Sequence, residues 1–143
     1  MNRPFRQDAR GAAAVEFALI APLLIATIFG VIEGARYIWT RQALQQAAFV
    51  GARCLSLGIT ANCANAAAAR ARAVSEARQI GILVQPSYVT AEGPRTCGTG
   101  TSAVSGMSRV AITMPFRSAA SGFLPYRFTQ IAVDACFPAK PSS

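Results

Sequence analysis

One stretch near the N-terminus limits what this chain can become. From Ala12 to Ile32 it reads AAAVEFALIAPLLIATIFGVI, 21 residues with a single charge. As a helix rising about 1.5 Å per residue, such a run crosses a hydrocarbon layer of about 30 Å. A secretory signal has a shorter apolar region followed by a small-x-small cleavage site, and Val31-Ile32-Glu33-Gly34-Ala35 does not fit that pattern. Arg3, Arg6 and Arg10 stand just before the run. The bias of basic residues toward cytoplasmic flanks then predicts an N-terminus inside and the remainder of the chain outside.

Glu16 is the anomaly, five residues into the apolar run. An acid at mid-membrane costs roughly 2.5–3.5 kcal/mol on translocon scales and less near an end. Two readings follow. Glu16 can lie close enough to the interface to reach the headgroups, or it can have a partner. No Lys or Arg lies one helical turn away inside the run, so a partner has to come from another chain or from a new N-terminus. Pro22 lacks an amide donor and loosens the helix near Ala18, which is either harmless or accommodated by neighbouring helices. Ala26, Gly30 and Gly34 fall four apart on one helix face, a small-residue stripe of a kind common in membrane helices.

Charge and composition exclude some functions. The net charge of +8 invites a nucleic-acid or anionic-lipid reading, yet the arginines after Ile32 are scattered singly or in pairs, with no basic stripe and no interleaved aromatics. No nucleic-acid partner is expected. The sequence has no histidine and six acidic residues, none of which share a short motif. General acid/base chemistry and most zinc sites draw on those groups, so no catalytic residue, cofactor or metal is expected.

Past the apolar run the helical pattern continues to about Leu57, with Tyr37 and Trp39 at the outer boundary, where amphipathic rings favour the headgroup layer. Gly58 stops it. Asn62 or Asn65 can cap a second, alanine-rich helix from Ala64 to about Gln79. Ile82 to Thr90 reads as a first strand, interrupted by Pro86 and hence at an edge. Gly93 to Gly106, rich in Gly, Ser and Thr, reads as a loop able to contact a surface or partner. Val110, Ile112, Met114 and Phe116 alternate with Arg109, Ala111 and Thr113, and Ile131, Val133, Ala135 and Phe137 repeat the pattern, as half-buried strands do. The organisation expected is a basic leader (1–11), a transmembrane helix (12–32), its continuation as a stalk (33–58), a small extracytoplasmic α+β domain (59–137) and a frayed tail (138–143).

Cys54, Cys63, Cys97 and Cys136 are even in number, fall on the outer side and show no CxxC spacing. Two disulfides are the natural reading, with four-cysteine metal ligation as the alternative. Of the three pairings, Cys54 with Cys63 ties the end of the long helix to the second one. In an antiparallel meander the last strand returns beside the middle one, bringing Cys136 near the loop that holds Cys97.

Arg10-Gly11-Ala12-Ala13-Ala14-Val15-Glu16-Phe17, followed by Ala18-Leu19-Ile20-Ala21-Pro22-Leu23-Leu24, resembles the processing motif of type IV prepilins in its Flp/Tad form. The resemblance implies a leader ending at Gly11, Ala12 as the first mature residue after cutting by a membrane-embedded prepilin peptidase, and Glu16 and Phe17 as the assembly motif. The tract from Gly30 to Gly51, including Glu33-Gly34-Ala35-Arg36 and Arg41-Gln42-Ala43-Leu44-Gln45-Gln46-Ala47-Ala48, is similar to the TadE-like minor pilins or pseudopilins. Major Flp pilins are little more than the helix, and TadG-like relatives carry a much larger outer domain. The resemblance implies a pilin-like α+β fold, with a long N-terminal helix packed on a small antiparallel sheet of about three strands. It also implies a bacterial inner-membrane location with a periplasmic domain, other pilin subunits and the pilus assembly platform as partners, and a part in pilus biogenesis and adhesion. An uncleaved single-pass scaffold of a secretion or envelope complex is the competing expectation. Removal of residues 1–11 separates the two.

Overall fold

The computed structural model describes residues 6–58, 63–98, 101, 103–118 and 129–139, and the side chains among these from Gly11 onward. It divides into two compact units, Met1–Arg36 and Tyr37–Ser143. One helix, α1, runs from Arg6 to Leu57 with Pro22 inside it.

In the first unit the apolar side chains of α1 meet nothing. Val15, Phe17, Leu19, Leu23, Phe29 and Val31 are all exposed by more than half, and Phe17 reaches 73%. A helix apolar all round is stable only where something other than water covers it, and this one has the length and composition to span a membrane. Its polar groups are turned to local use. Thr27 Oγ1 donates to the Leu24 carbonyl at 2.7 Å, and Arg36 Nη1 pairs with Glu33 Oε1 at 3.1 Å.

The second unit is an α+β domain. The last five turns of α1 carry Leu44, Ala47, Ala48, Gly51 and Ala52 at helical spacing, and this face is buried. The helix ends as its composition predicts, with Gly58 at φ +56° and its amide donating to the Cys54 carbonyl at 3.1 Å. A second helix, α2, spans Ala66–Gln79, with Asn65 as its cap: the side chain accepts from the Ala68 amide at 2.9 Å. The alternative cap, Asn62, lies outside the described residues. α2 buries Ala69, Ala73, Val74 and Ala77.

Three antiparallel strands follow in the order β1-β2-β3: β1 Val89–Cys97, β2 Val104–Pro115 and β3 Gln130–Pro138. Register explains the alternation seen in the sequence. Val89, Ile112 and Val133 lie in one row, and Ala91, Val110 and Ala135 in the next. These rows face the core, which they share with Leu44 of α1 and with Ala73 and Ala77 of α2. Thr90, Ala111 and Asp134 occupy the opposite face. Leu44, Val89, Val110, Ile112 and Ile131 are the largest fully buried side chains, each worth about 1.5–3 kcal/mol of burial.

Two expectations are corrected. Ile82–Val84 is not strand: Ile82 and Val84 are buried, the Ile82 amide donates to the Ala77 carbonyl at 2.9 Å, and Pro86 opens a 3-10 turn, Pro86–Tyr88, before β1 starts at Val89. A fixed proline φ and a missing N–H suit that turn and not a ladder. The stretch from Gly93 to Gly106 is mostly paired strand, leaving only the connection after Cys97 and before Val104. Its Gly and Pro residues are accommodated by register shifts on either side of Arg95 and by Gly106 at φ +74°. Pro138 ends β3, and most of the expected tail, residues 140–143, lies outside the described residues.

The outer edge of β3 is occupied. Gln45 Nε2 donates to the Asp134 carbonyl at 2.6 Å, and Ser56 Oγ donates to the Pro138 carbonyl. At the other edge β1 contains Pro94 and its two register shifts.

Candidate functional site

The candidate residues separate into an exposed helical set and a bonded set in the outer domain. Gly11, Ala12, Glu16, Phe17, Pro22, Ala26, Gly30 and Gly34 all lie on α1 and all are exposed. Among the described residues Glu16 makes no hydrogen bond or ion pair, so the chain itself offers no described compensation for that charge. A Cβ added at Gly11, Gly30 or Gly34 would find nothing within 4 Å. These glycines therefore play no part in packing the chain against itself, and the surface they open is free for another molecule.

The cysteines are brought together in two pairs. Cys54 is bonded to Cys63 with Cα atoms 5.0 Å apart, and Cys97 to Cys136 at 6.5 Å. The first bond joins the last turn of α1 to the residues before α2. The second joins the end of β1 to β3, where Cys136 sits opposite Arg109 of β2. This is the connectivity that the helix and meander order favour. All four sulfurs are thus bonded, and no group of three or more His, Cys, Asp or Glu among the described residues is arranged to hold a metal ion.

Several contacts escape a reading of the sequence. Gly51 is buried where α1 meets α2, and a Cβ there would lie 3.0 Å from Ala73 Cβ and 3.2 Å from the Ala69 carbonyl oxygen. The signal was present in the run of small residues Ala47, Ala48, Gly51 and Ala52 on one face, but nothing local says which helix they meet. Tyr37 stacks edge-on against Phe116 with centroids 5.3 Å apart, and Phe49 against Phe137 at 5.8 Å. Tyr37 is thus held by its own domain as well as suiting an interfacial layer. Glu33 keeps its second oxygen, Oε2, buried with no hydrogen-bond partner among the described residues.

Residues 11–53 match the family model described as TadE-like protein. This segment is TadE-like. The match starts at Gly11, takes in every exposed candidate residue on α1, and ends at Arg53, one residue before the first cysteine. The TadE-like segment therefore combines the apolar part of α1 with the alanine-rich turns that enter the core, and it includes none of α2 or the sheet. No curated protein and no solved structure matches the chain. The matched segment is thus similar to that of TadE-like proteins of the Flp/Tad pilus, and the helix that carries it is long and apolar enough to cross a membrane.

Proposed function

We propose that the chain is a minor pilin or pseudopilin of a Flp/Tad-type pilus, a structural subunit made as an inner-membrane precursor with its α+β domain in the periplasm. A prepilin peptidase cuts between Gly11 and Ala12. The observation that carries this reading is the TadE-like match itself, which begins at the glycine before the expected cut and takes in the exposed apolar part of α1. Cutting creates an ammonium group at Ala12, four residues from Glu16. In a stack of parallel helices, Glu16 of one subunit pairs with the Ala12 ammonium of its neighbour, and a solitary charge in lipid becomes a compensated pair. Repetition of that pair sets the stagger between subunits. The stripe of Ala26, Gly30 and Gly34 lets the backbones approach, and the outer domain is carried into the pilus, where it serves biogenesis and adhesion.

The decisive experiment is the intact mass of the membrane-extracted protein from cells with and without a prepilin peptidase. Loss of residues 1–11 only when the peptidase is present is the expected result. A full-length mass in both cases sinks the processed-subunit reading and leaves an uncleaved envelope scaffold.

A further inference from the structure

The two disulfides differ in what surrounds them. Cys54 and Cys63 line a shallow surface pocket formed by the last turns of α1 and by α2, whose walls include the exposed Phe49 and Leu57 and the two arginines Arg53 and Arg72. Arg53 forms no ion pair among the described residues. Arg72 reaches Glu76 at 3.5 Å, but that carboxylate is one turn further along α2 and does not line the pocket. The pocket holds two guanidinium groups and no acid among the described residues, so its field is positive.

Cys97–Cys136 has the opposite setting. Cys136 follows Asp134 by two residues on β3 and stands opposite Arg109, and those two charges are paired at 3.2 Å. Arg95, two residues before Cys97, is paired with Glu92 at 3.3 Å. Both arginines beside this bond are therefore answered by a carboxylate. The bond also closes 39 residues that include two paired strands, whereas Cys54–Cys63 closes 9 at a junction of helix ends. Helix ends open at less cost than the strands of a core. Exchange proceeds by attack of a thiolate on a disulfide sulfur. A positive pocket draws in that anion and steadies the thiolate that leaves, and a carboxylate beside the sulfur does the reverse.

We infer that Cys54–Cys63 is a thiol-exchange site, a bond that an external thiol opens while Cys97–Cys136 stays closed. In the first step the reagent's thiolate bonds to Cys63 Sγ, on the half-buried member of the pair, and the S–S bond breaks with its electrons passing to Cys54 Sγ. A second thiolate then takes the reagent's sulfur from Cys63. The cysteine pair gains two electrons and the two protons given up by the reagent's thiols, and the reagent leaves as its own disulfide. Opening frees the end of α1 from the start of α2 and keeps the core of Leu44, Val110 and Ile112 in place. Leader cleavage has no part in this, so the site exists on either reading of the chain's role.

The test treats the oxidised full chain, in neutral-detergent micelles, with reduced glutathione, quenches it by alkylation and maps the cysteines by peptide mass. Cys54–Cys63 should open about tenfold faster than Cys97–Cys136, with the first glutathione adduct on Cys63. Equal rates, the reverse order, or a first adduct on Cys54 overturns the proposal. At equal thiolate concentration, 2-mercaptoethanesulfonate should open the bond about threefold faster than cysteamine. Joint replacement Arg53→Gln and Arg72→Gln should bring the two reagents level; an unchanged preference counts against the site. If circular dichroism shows that variant misfolded, the wild-type preference is followed as salt is raised, where it should fall away, and its persistence has the same adverse meaning. In the opened protein, amide exchange should quicken over Cys54–Leu57 and in the first turn of α2 and stay unchanged in β2 and β3. Loss of protection across the sheet would make the bond a support of the whole domain and overturn its role as a separate site.

Discussion

Gly51 and Gly30 look alike in the sequence, each a glycine among small residues of one helix, yet their surroundings differ. At Gly51 a methyl group would press on Ala73 Cβ and on the Ala69 carbonyl, neither of which can swing aside. The helix-propensity gain of about 1 kcal/mol for Ala is then outweighed by an overpacking cost of about 1–3 kcal/mol. Gly51→Ala is expected to lower the stability of the outer domain by about 1 kcal/mol, measured by denaturant unfolding in detergent, whereas Gly30→Ala leaves it undiminished. Glu16→Leu should leave membrane insertion and outer-domain stability intact and reduce recovery of the protein in sheared pili; wild-type recovery of that variant would sink the pairing with Ala12. Which of these positions face another molecule cannot be read from residue type. Glu16 was legible because a lone charge in an apolar run needs an explanation, while Gly51 was not, because its partners lie about 20 residues away on α2.

Elements formed where local pattern and tertiary need agree. β3 pairs along its whole length, with β2 from Met107 onward. The period-two alternation from Arg109 to Phe116 and from Ile131 to Phe137 made those parts visible in advance, whereas the start of β2, Val104–Gly106, carries no such signal. α1 ends at a glycine with positive φ, and α2 begins at an asparagine whose side chain accepts an amide, each a local signal with a local cause. β1 misled because Gly93 and Pro94 carry turn chemistry, which pairing to β2 overrides, and because the Ile82–Val84 segment has a strand's apolar spacing but packs under α2 without a ladder. The disulfides bear on elements in proportion to the chain they enclose. Cys97–Cys136 spans 39 residues and Cys54–Cys63 spans 9. In the chain-entropy model these contribute about 4 and about 2.5 kcal/mol. Replacing Cys97 and Cys136 by serine should therefore destabilise the domain more than replacing Cys54 and Cys63, by about 1 kcal/mol in equilibrium unfolding under oxidising conditions. The reverse order would show that anchoring the end of α1 matters more than closing the sheet.

For the whole molecule, α1 supplies two kinds of surface. Residues up to Arg36 present apolar side chains with no cover of their own, and residues from Ala43 to Ser56 build the core of the second unit. An alkaline carbonate wash should leave the protein in the membrane pellet and a nonionic detergent should release it; release by carbonate alone would remove the membrane anchor. Gln45 and Ser56 hold the outer carbonyls of β3, and Pro94 and the register shifts disturb β1. A three-stranded sheet normally carries two margins on which a stranger's backbone can lengthen the ladder. Here neither margin is a straight, vacant row. Molecules lying side by side are thereby spared cross-β association through this domain, and contacts between them are left to side chains, where sequence can choose the partner.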